Sequence, residues 1–266
     1  MGPFDLTDLL LTAVIFTPLQ WLLPMRRGQK FFRKGIGTDF CHVFISGVMI
    51  KLGIIAAIAP VFVAAKTLPL SGLHALVAAQ PVWAQFAEAL IIADLGYYAA
   101  HRAFHAVPAL WRFHTIHHSI EEMDWVAAHR VHPVDQIATK FLSLAPLIVV
   151  GFSTDALLAF GLFYKWQSLL KHANVNIGFG PLRWVLVSPA FHHWHHANEA
   201  AAIDRNFAGQ LSFIDLMFGT AHFPKSETPR RYGIDEATPA HYADQLLHPF
   251  KTMPRRAGAQ TVLPAE

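Results

Sequence analysis

Histidines spaced three or four residues apart are the feature that most constrains how this chain can fold. Nine of the 17 histidines fall in two short windows, residues 101–118 and 192–196. Residues at this spacing lie on one face of a helix. Eight of the nine follow it: His101, His105, His114, His117, His118, His192, His195 and His196. Imidazole is a good ligand for zinc, copper, iron and nickel. The pattern therefore predicts that helices far apart in the chain converge on metal.

The other histidines divide into isolated residues and possible further ligands. His193 lies one residue off the triplet spacing and should point away from the metal. His172 is placed to supply another ligand, and Asn176, four residues later, could bond a metal-bound water from the same helical face. His132 precedes Pro133, which favours an extended backbone, so it is either a ligand or a neighbour of one. The isolated histidines are expected to be structural: His42, His74, His222, His241 and His248.

The number of histidines predicts two metal ions. A zinc site uses four protein ligands, or three and a water molecule. Eight to ten histidines are too many for one ion, but they supply two ions with four or five ligands each.

The composition is typical of a membrane protein. The 266 residues are 53% hydrophobic and 15% charged, with a mean hydropathy of +0.33. The net charge of +3 suits a surface that lies against anionic lipid headgroups. The sequence has no basic stripe interleaved with aromatic residues, which is the pattern that would indicate a nucleic-acid partner. The single cysteine, Cys41, excludes an intrachain disulfide and a cysteine-ligated iron–sulfur cluster.

Three apolar segments are predicted to cross the membrane, at residues 6–23, 43–65 and 83–100, since a crossing takes roughly 20 residues. The first is read as a retained span, because the N-terminus lacks a positively charged region, carries Asp5 and Asp8, and has no signal-cleavage site after the apolar run. The loop after it holds five positive charges in residues 26–34, which predicts a cytoplasmic loop and cytoplasmic histidines. In the third segment, Asp94 is costly and suggests a function. It could accept a hydrogen bond from a ligating imidazole or serve helix packing.

The apolar stretch at residues 141–166 is predicted to be a shallow membrane hairpin. Both histidine windows must lie on one side, so the chain has to return, and residues 151–155 read as a turn. Each arm would have about twelve residues, or roughly 18 Å of helix, short of the ~30 Å hydrocarbon core. A pair of tilted helices is the alternative.

The predicted fold is therefore all-α and integral to the membrane. It has about three full spans, the hairpin and a cytoplasmic histidine-rich helical cap holding a di-metal site. We divide it into membrane spans (1–82), a catalytic domain (83–225) and an extended C-terminal segment with a loose tail around Arg255 and Arg256 (226–266).

The order of the histidine groups, HxxxH, HxxHH and HxxHH, resembles the membrane-bound fatty acid hydroxylase / sterol desaturase superfamily. The matching segments span about residues 85–225: residues 94–105, 114–119, 130–133, 188–196, 204–207 and 218–220. The resemblance implies a non-haem di-iron enzyme that uses dioxygen to hydroxylate or desaturate a lipid. It makes the eight patterned histidines iron ligands and His172 a ninth. Some relatives have a further histidine where this chain has Asn176, so the tenth ligand is left open between His132 and water.

The resemblance also implies partners. We expect a lipid substrate, the membrane and an external electron donor of the cytochrome b5, ferredoxin or reductase type, because the chain shows no dinucleotide-binding loop, haem domain or cysteine cluster. The lipid, the donor and the choice between hydroxylation and desaturation stay open.

Two other functions fit the histidines alone. A zinc transporter would need them too, but it places ligands near the bilayer midplane, whereas these clusters follow the spans. A zinc-dependent membrane hydrolase is disfavoured by the lack of a His-Glu-x-x-His run.

Overall fold

The computed structural model of the protein describes residues 6–224 and 227–251, and the predicted loose tail lies outside them. Every regular element in these ranges is helical, beside one isolated antiparallel bridge between Ala197 and Tyr232. The prediction of an all-α fold is confirmed. The helices are α1 (Leu6–Leu22), α2 (Ile36–Ala65), α3 (Ser71–Ala78), α4 (Val82–Ala106), α5 (Pro108–His118), α6 (Pro133–Val150), α7 (Thr154–His172), α8 (Pro189–His195), α9 (Ser212–Met217) and α10 (Tyr242–Leu247). Short 3₁₀ turns lie at Ala127–His129, Gly180–Trp184 and His248–Phe250.

Two helices of the described ranges are long and apolar enough to cross a bilayer. They are α2, with 30 residues, and α6, with 18 residues. Helix α2 contains the predicted second span and continues through Lys51 and Pro60, with one π-helical turn at its start. Helix α1 is apolar but has only 17 residues. The predicted third span lies in α4, whose 25 residues include Glu88 and Asp94 and are less apolar.

The stretch predicted to form a hairpin contains two helices, α6 and α7, joined by a short turn. Gly151, with φ of +80°, ends α6, and the Ser153 hydroxyl caps α7 by accepting a hydrogen bond from the Ala156 amide. The turn is where the sequence predicted it, but the arms have 18 and 19 residues. The prediction of twelve-residue arms was wrong, because both helices continue beyond the apolar stretch into polar residues.

Helix α4 is central to the packing. It contacts α5, α6 and α7, while α2 packs along the other side of α6. A Cβ added at Gly96 would lie 2.3 Å from the Leu142 carbonyl oxygen, so α4 and α6 approach closely at this point. The core between these helices includes Ala93 and continues into the segment after α7 through Phe191 and Phe207. That segment therefore forms a cap, residues 186–223, fixed over one end of the helices.

The C-terminal segment is less extended than predicted, because it contains α10. The side chain of Gln245 in α10 bonds Nε2 of His42 in α2 at 2.8 Å. The segment is thus attached to α2.

Candidate metal centre

Four helices present the predicted histidines at one end of the molecule. His101 and His105 lie in the last turns of α4, and His172 is the last residue of α7. The three histidines of the second cluster lie along α5, and those of the third lie on α8 and the residue after it. Both α5 and α8 begin with proline at the first helical position, where no amide donor is needed. The histidines of each triplet span about one and a half turns of helix.

Nine histidines come together in two groups. In each group, every histidine offers one ring nitrogen, and these nitrogens all lie within 4.8 Å of one another. The first group is His101, His105, His114, His118 and His195, and the second group is His117, His172, His192 and His196. The groups adjoin, since the rings of His118 and His196 stack with centroids 4.7 Å apart. The Hxx-HH triplets are therefore divided between the groups rather than kept together.

The Nε2 atoms face one another at short distances. They are 3.0 Å apart for His101 and His114, and 3.0 Å apart for His118 and His195. In the second group, Nε2 of His192 lies 2.9 Å from that of His172. Neighbouring ligands on a metal with bonds of about 2.1 Å are about 3 Å apart. The separations fit the edges of a coordination shell.

Acceptors on the opposite ring nitrogen determine the tautomers. Nδ1 of His101 donates to the Phe207 carbonyl at 2.7 Å, Nδ1 of His117 to the Arg130 carbonyl at 3.0 Å and Nδ1 of His195 to the Arg205 carbonyl at 2.8 Å. A neutral imidazole that donates from Nδ1 has a bare lone pair on Nε2. These lone pairs converge and repel each other unless a cation lies between them.

Two carboxylates act in the same way as the carbonyls. Nδ1 of His114 lies 2.7 Å from the Asp135 carboxylate, and Nδ1 of His105 lies 3.0 Å from the exposed Asp204. Sequence reasoning missed both partners. Asp135 follows His132-Pro133 in the first turn of α6, and that position close to a histidine motif was the available signal.

The second group contains ring nitrogens that are buried without a hydrogen-bond partner in the described part of the chain. They are Nδ1 of His192 and both nitrogens of His196. An unpaired buried polar atom is costly, and a metal ion would satisfy at least one of these nitrogens. The residues present therefore fit a pair of metal ions.

Burial lowers the pKa of eight of these nine imidazoles. It lowers the pKa of His117 to about 3, and neighbouring His114 lowers it further in the same direction. Burial also lowers the pKa of His118 and His196 well below the ordinary value. Ligating imidazole must be deprotonated, so the groups are in the form that binds metal at neutral pH.

His193 points away from both groups, as predicted. Its Nδ1 lies 2.6 Å from the Tyr232 hydroxyl, and its Nε2 lies 3.0 Å from the Ala173 carbonyl. Among the isolated histidines, His42 bonds Ser46 and Gln245, and His74 bonds the Val149 carbonyl.

Three predicted neighbours of the metal have other positions. The Asp94 carboxylate accepts from the backbone amides of residues 209–211 at 2.7–3.0 Å, not from an imidazole. It fixes the loop that follows the Phe207 carbonyl. His132 caps α6 by accepting from the Val134 amide, and its Nε2 bonds the Leu246 carbonyl. Asn176 is exposed and does not share a helical face with His172, because the helix ends there and Ala173 is extended.

A buried ion-pair network lies behind the second group. Arg33 bonds Asp39 at 2.6 Å and Asp124 at 2.7 Å, and Arg130 pairs with Asp39. Because the Arg130 carbonyl accepts from His117, this network connects the basic loop after α1 to the histidines.

A cavity of about 460 Å³ opens beside the two groups. It is lined by His101, His114, His117 and His172 at one side and by side chains of α1, α2, α6 and α7 at the other. A long, narrow molecule could reach the histidines through it.

Comparison with known proteins identifies the family. The sequence pattern of the fatty acid hydroxylase family matches residues 86–220, which is half of the chain and contains all nine histidines of the two groups. The chain belongs to the fatty acid hydroxylase family. The predicted resemblance is therefore confirmed.

Several members of the family are similar to this chain. The ornithine lipid hydroxylase OlsE of Rhizobium tropici is 30% identical over 92% of this chain and 75% of its own length. Human alkylglycerol monooxygenase is 36% identical over 50% of this chain, which is 29% of that protein. A very-long-chain aldehyde decarbonylase of rice, GL1-1, is 27% identical over 90% of this chain and 41% of its own length. No solved structure matches the chain.

Proposed function

We propose that this protein is a membrane-bound, non-haem di-iron hydroxylase that uses dioxygen to oxidise a C–H bond of a lipid. The observation that carries the proposal is the convergence of nine imidazoles in two adjoining groups beside a cavity. Membership of the fatty acid hydroxylase family favours this function over a zinc transporter or a zinc-dependent hydrolase.

Each group would hold one iron ion. The first group offers five imidazoles and the second offers four, so each ion can keep a position open. Iron suits imidazole ligands, whereas zinc has no redox chemistry. When bound, the two irons would supply activation of dioxygen and removal of a hydrogen atom from the lipid.

The residues of the chain orient the imidazoles and exclude water. Carbonyls and the carboxylates of Asp135 and Asp204 fix six of the nine rings through Nδ1, which sets the tautomer and the direction of the Nε2 lone pair. The histidine rings are almost completely buried. The cavity would hold the lipid chain so that one of its carbons lies beside the two histidine groups. This positioning of the reacting carbon is the protein's main contribution to the reaction.

Hydroxylation is the outcome that we favour. OlsE and alkylglycerol monooxygenase are named for oxygen insertion into lipids. Desaturation starts with the same hydrogen removal, so it is the second candidate.

We propose that α1, α2 and α4 cross the membrane, that α6 and α7 enter it as a hairpin, and that the histidines lie on the cytoplasmic side. In support, the basic loop after α1 is attached to the site. Arg33 bonds Asp124, and the Arg26 amide donates to the Asn174 side chain at 2.8 Å. The loop and the histidines are thus at the same end of the molecule, and positive loops are generally cytoplasmic.

An external electron donor would dock near His105. Arg205 follows Asp204, which contacts this histidine at the edge of the first group, and Arg102 lies one turn before His105 on α4; both arginines are exposed. A basic surface favours an acidic partner, such as a cytochrome b5-, ferredoxin- or reductase-type protein.

The test is lipid analysis of membranes that contain the full-length protein, under isotopically labelled dioxygen. We expect one labelled oxygen atom in a lipid product and about two irons per chain. His117→Ala should abolish metal loading of the second group and product together, because it removes a nitrogen of that group. His241→Ala changes an exposed histidine and should leave both unchanged. Zinc with no oxygen-dependent product, or full activity of the His117 variant, would contradict the proposal.

A further inference from the structure

The cavity beside the histidines has cationic groups on its wall. Three lysines line it: Lys140 on α6 and Lys165 and Lys171 on α7. A lysine in an apolar helix is costly and is a functional hypothesis by default. The partners of each ammonium therefore indicate what the lysine is for.

Two of the three lysines are satisfied by the protein. Lys165 forms an ion pair with Asp8 of α1. Lys171 donates to the Gly209 carbonyl at 2.9 Å, and the Asp94 carboxylate accepts from the amide of the same residue at 2.9 Å. Lys171 and Asp94 thus fix the cap loop together, which gives Lys171 a structural role.

Lys140 differs from both. Its Nζ lies 3.3 Å from the centroid of the Tyr164 ring, and no carboxylate of the described ranges lies within 4.0 Å of it. The nearest acid along α6 is Asp135, which is occupied by His114. A ring face holds an ammonium only weakly compared with an anion, so Lys140 has capacity left toward the cavity.

We propose that Lys140 binds an anionic oxygen group, a carboxylate or a phosphate, on the lipid substrate. This inference rests on the proposed function for the identity of the occupant. Neutral lipids of the same chain length would lack the contact and bind more weakly, so Lys140 would select an anionic or zwitterionic substrate.

The position of Lys140 also predicts which part of the lipid reacts. Tyr164, which contacts Lys140, lies eight residues before His172 on α7, or roughly 12 Å along the helix axis. Lys140 also lies five residues after Asp135, which contacts His114, or roughly 7.5 Å along α6. The charged group would therefore be held on the order of 10 Å from the histidines. Oxidation would fall on a carbon remote from the charged group rather than next to it.

The test compares binding of matched lipids to the full-length, metal-loaded protein in micelles of the uncharged detergent dodecyl maltoside without dioxygen. The probes are oleate against oleyl alcohol and dioleoyl phosphatidic acid against dioleoylglycerol, in competition by native mass spectrometry. A charge-assisted bond is worth enough to predict at least an approximately tenfold preference for the anionic lipid of one pair. A preference in the oleate pair would identify a carboxylate as the bound group, and a preference in the phosphatidic acid pair would identify a phosphate.

Substitutions of Lys140 test whether this residue causes the preference for the anionic lipid. Lys140→Met and Lys140→Gln should reduce it to about onefold, whereas Lys140→Arg should keep it. Lys66→Met is the matched control, because Lys66 also lies over an aromatic ring, at 4.5 Å from Phe62, but is exposed at the end of α2. That variant should keep the preference.

The outcome is separable from that of the proposed function, because no turnover is needed. Equal binding of both lipids in both pairs by the wild-type protein would overturn the Lys140 proposal even if a hydroxylated product forms. A preference that survives in Lys140→Gln would also overturn it. Absence of product with a Lys140-dependent preference would contradict the proposed function alone.

Discussion

The carboxylate of Asp135 lies 2.7 Å from Nδ1 of His114, and both residues are buried. The contact joins the first turn of α6 to α5. It holds the His114 ring so that Nε2 faces that of His101. Such a carboxylate raises the basicity of an imidazole and fixes its tautomer, so Asp135 should matter for metal affinity although it contacts no Nε2 atom.

Asp135→Asn is expected to weaken metal binding at the first group by about 10- to 100-fold. The amide keeps the shape but presents a weaker acceptor. Affinity can be measured by competition with a chelator. Asp155→Asn is the control, because Asp155 occupies the first turn of α7 and is exposed. It loses the same favourable interaction with a helix N-terminus but should keep full metal affinity. Equal losses in the two variants would disprove the role of Asp135.

His192 and His193 are neighbours with opposite expected roles. His192→Gln removes an Nε2 that lies 2.9 Å from that of His172, so we expect loss of about one metal ion per chain and of product. His193→Gln should keep both ions, because its two nitrogens bond Tyr232 and Ala173. It should instead lower the thermal unfolding temperature, since it disturbs buried hydrogen bonds worth about 1–3 kcal/mol each. Metal analysis and thermal unfolding of both variants separate these outcomes, and metal loss in the His193 variant would refute the assignment.

The sequence allowed the convergence of the histidines to be predicted, because spacing on a helix is a local property. The same rule placed His193 outside the groups. It could not show that His117 joins a different group from His114 and His118, because that depends on how α5 crosses α7 and α8. Sequence alone therefore predicted which histidines form the site better than how they divide between the two groups.

The wrong predictions concern residues whose partners are distant in sequence or whose helix ends early. Asp94 lies about two helical turns from His101, yet its acceptor capacity is used by amides 115 to 117 residues later. Asn176 is four residues from His172, but α7 ends at that histidine. Neither outcome has a signal in local periodicity, since each depends on the position of the cap.

Gly96 is required where α4 crosses α6. A Cβ at this position would lie 2.3 Å from the Leu142 carbonyl oxygen, so Gly96→Ala should push the helices apart and destabilise the protein by about 1–3 kcal/mol. Gly161→Ala is the matched control, because Gly161 is also helical but has no atom within 4 Å of an added Cβ. It should be neutral or stabilising by about 0.5–1 kcal/mol. Thermal unfolding of the two variants in the same detergent tests this, and equal stability would contradict the close approach.

His129 should make stability depend on pH. It lines the cavity, and burial lowers its pKa from 6.5 to about 4. Because the folded value is the lower one, the unfolded chain binds more protons between these limits. The contribution of the neutral ring to the free energy of unfolding is fully present above pH 6.5 and is lost as the pH falls toward 4, with a slope of up to about 1.4 kcal/mol per pH unit for one proton.

The other buried histidines act in the same direction, so the wild-type protein should lose stability steeply on acidification. His129→Gln should make that slope shallower by up to one proton, as measured by thermal unfolding between pH 7.5 and 4.5, whereas the exposed His241→Gln should not. An unchanged slope in the His129 variant would mean that this ring is protonated as readily in the folded protein as in the unfolded chain.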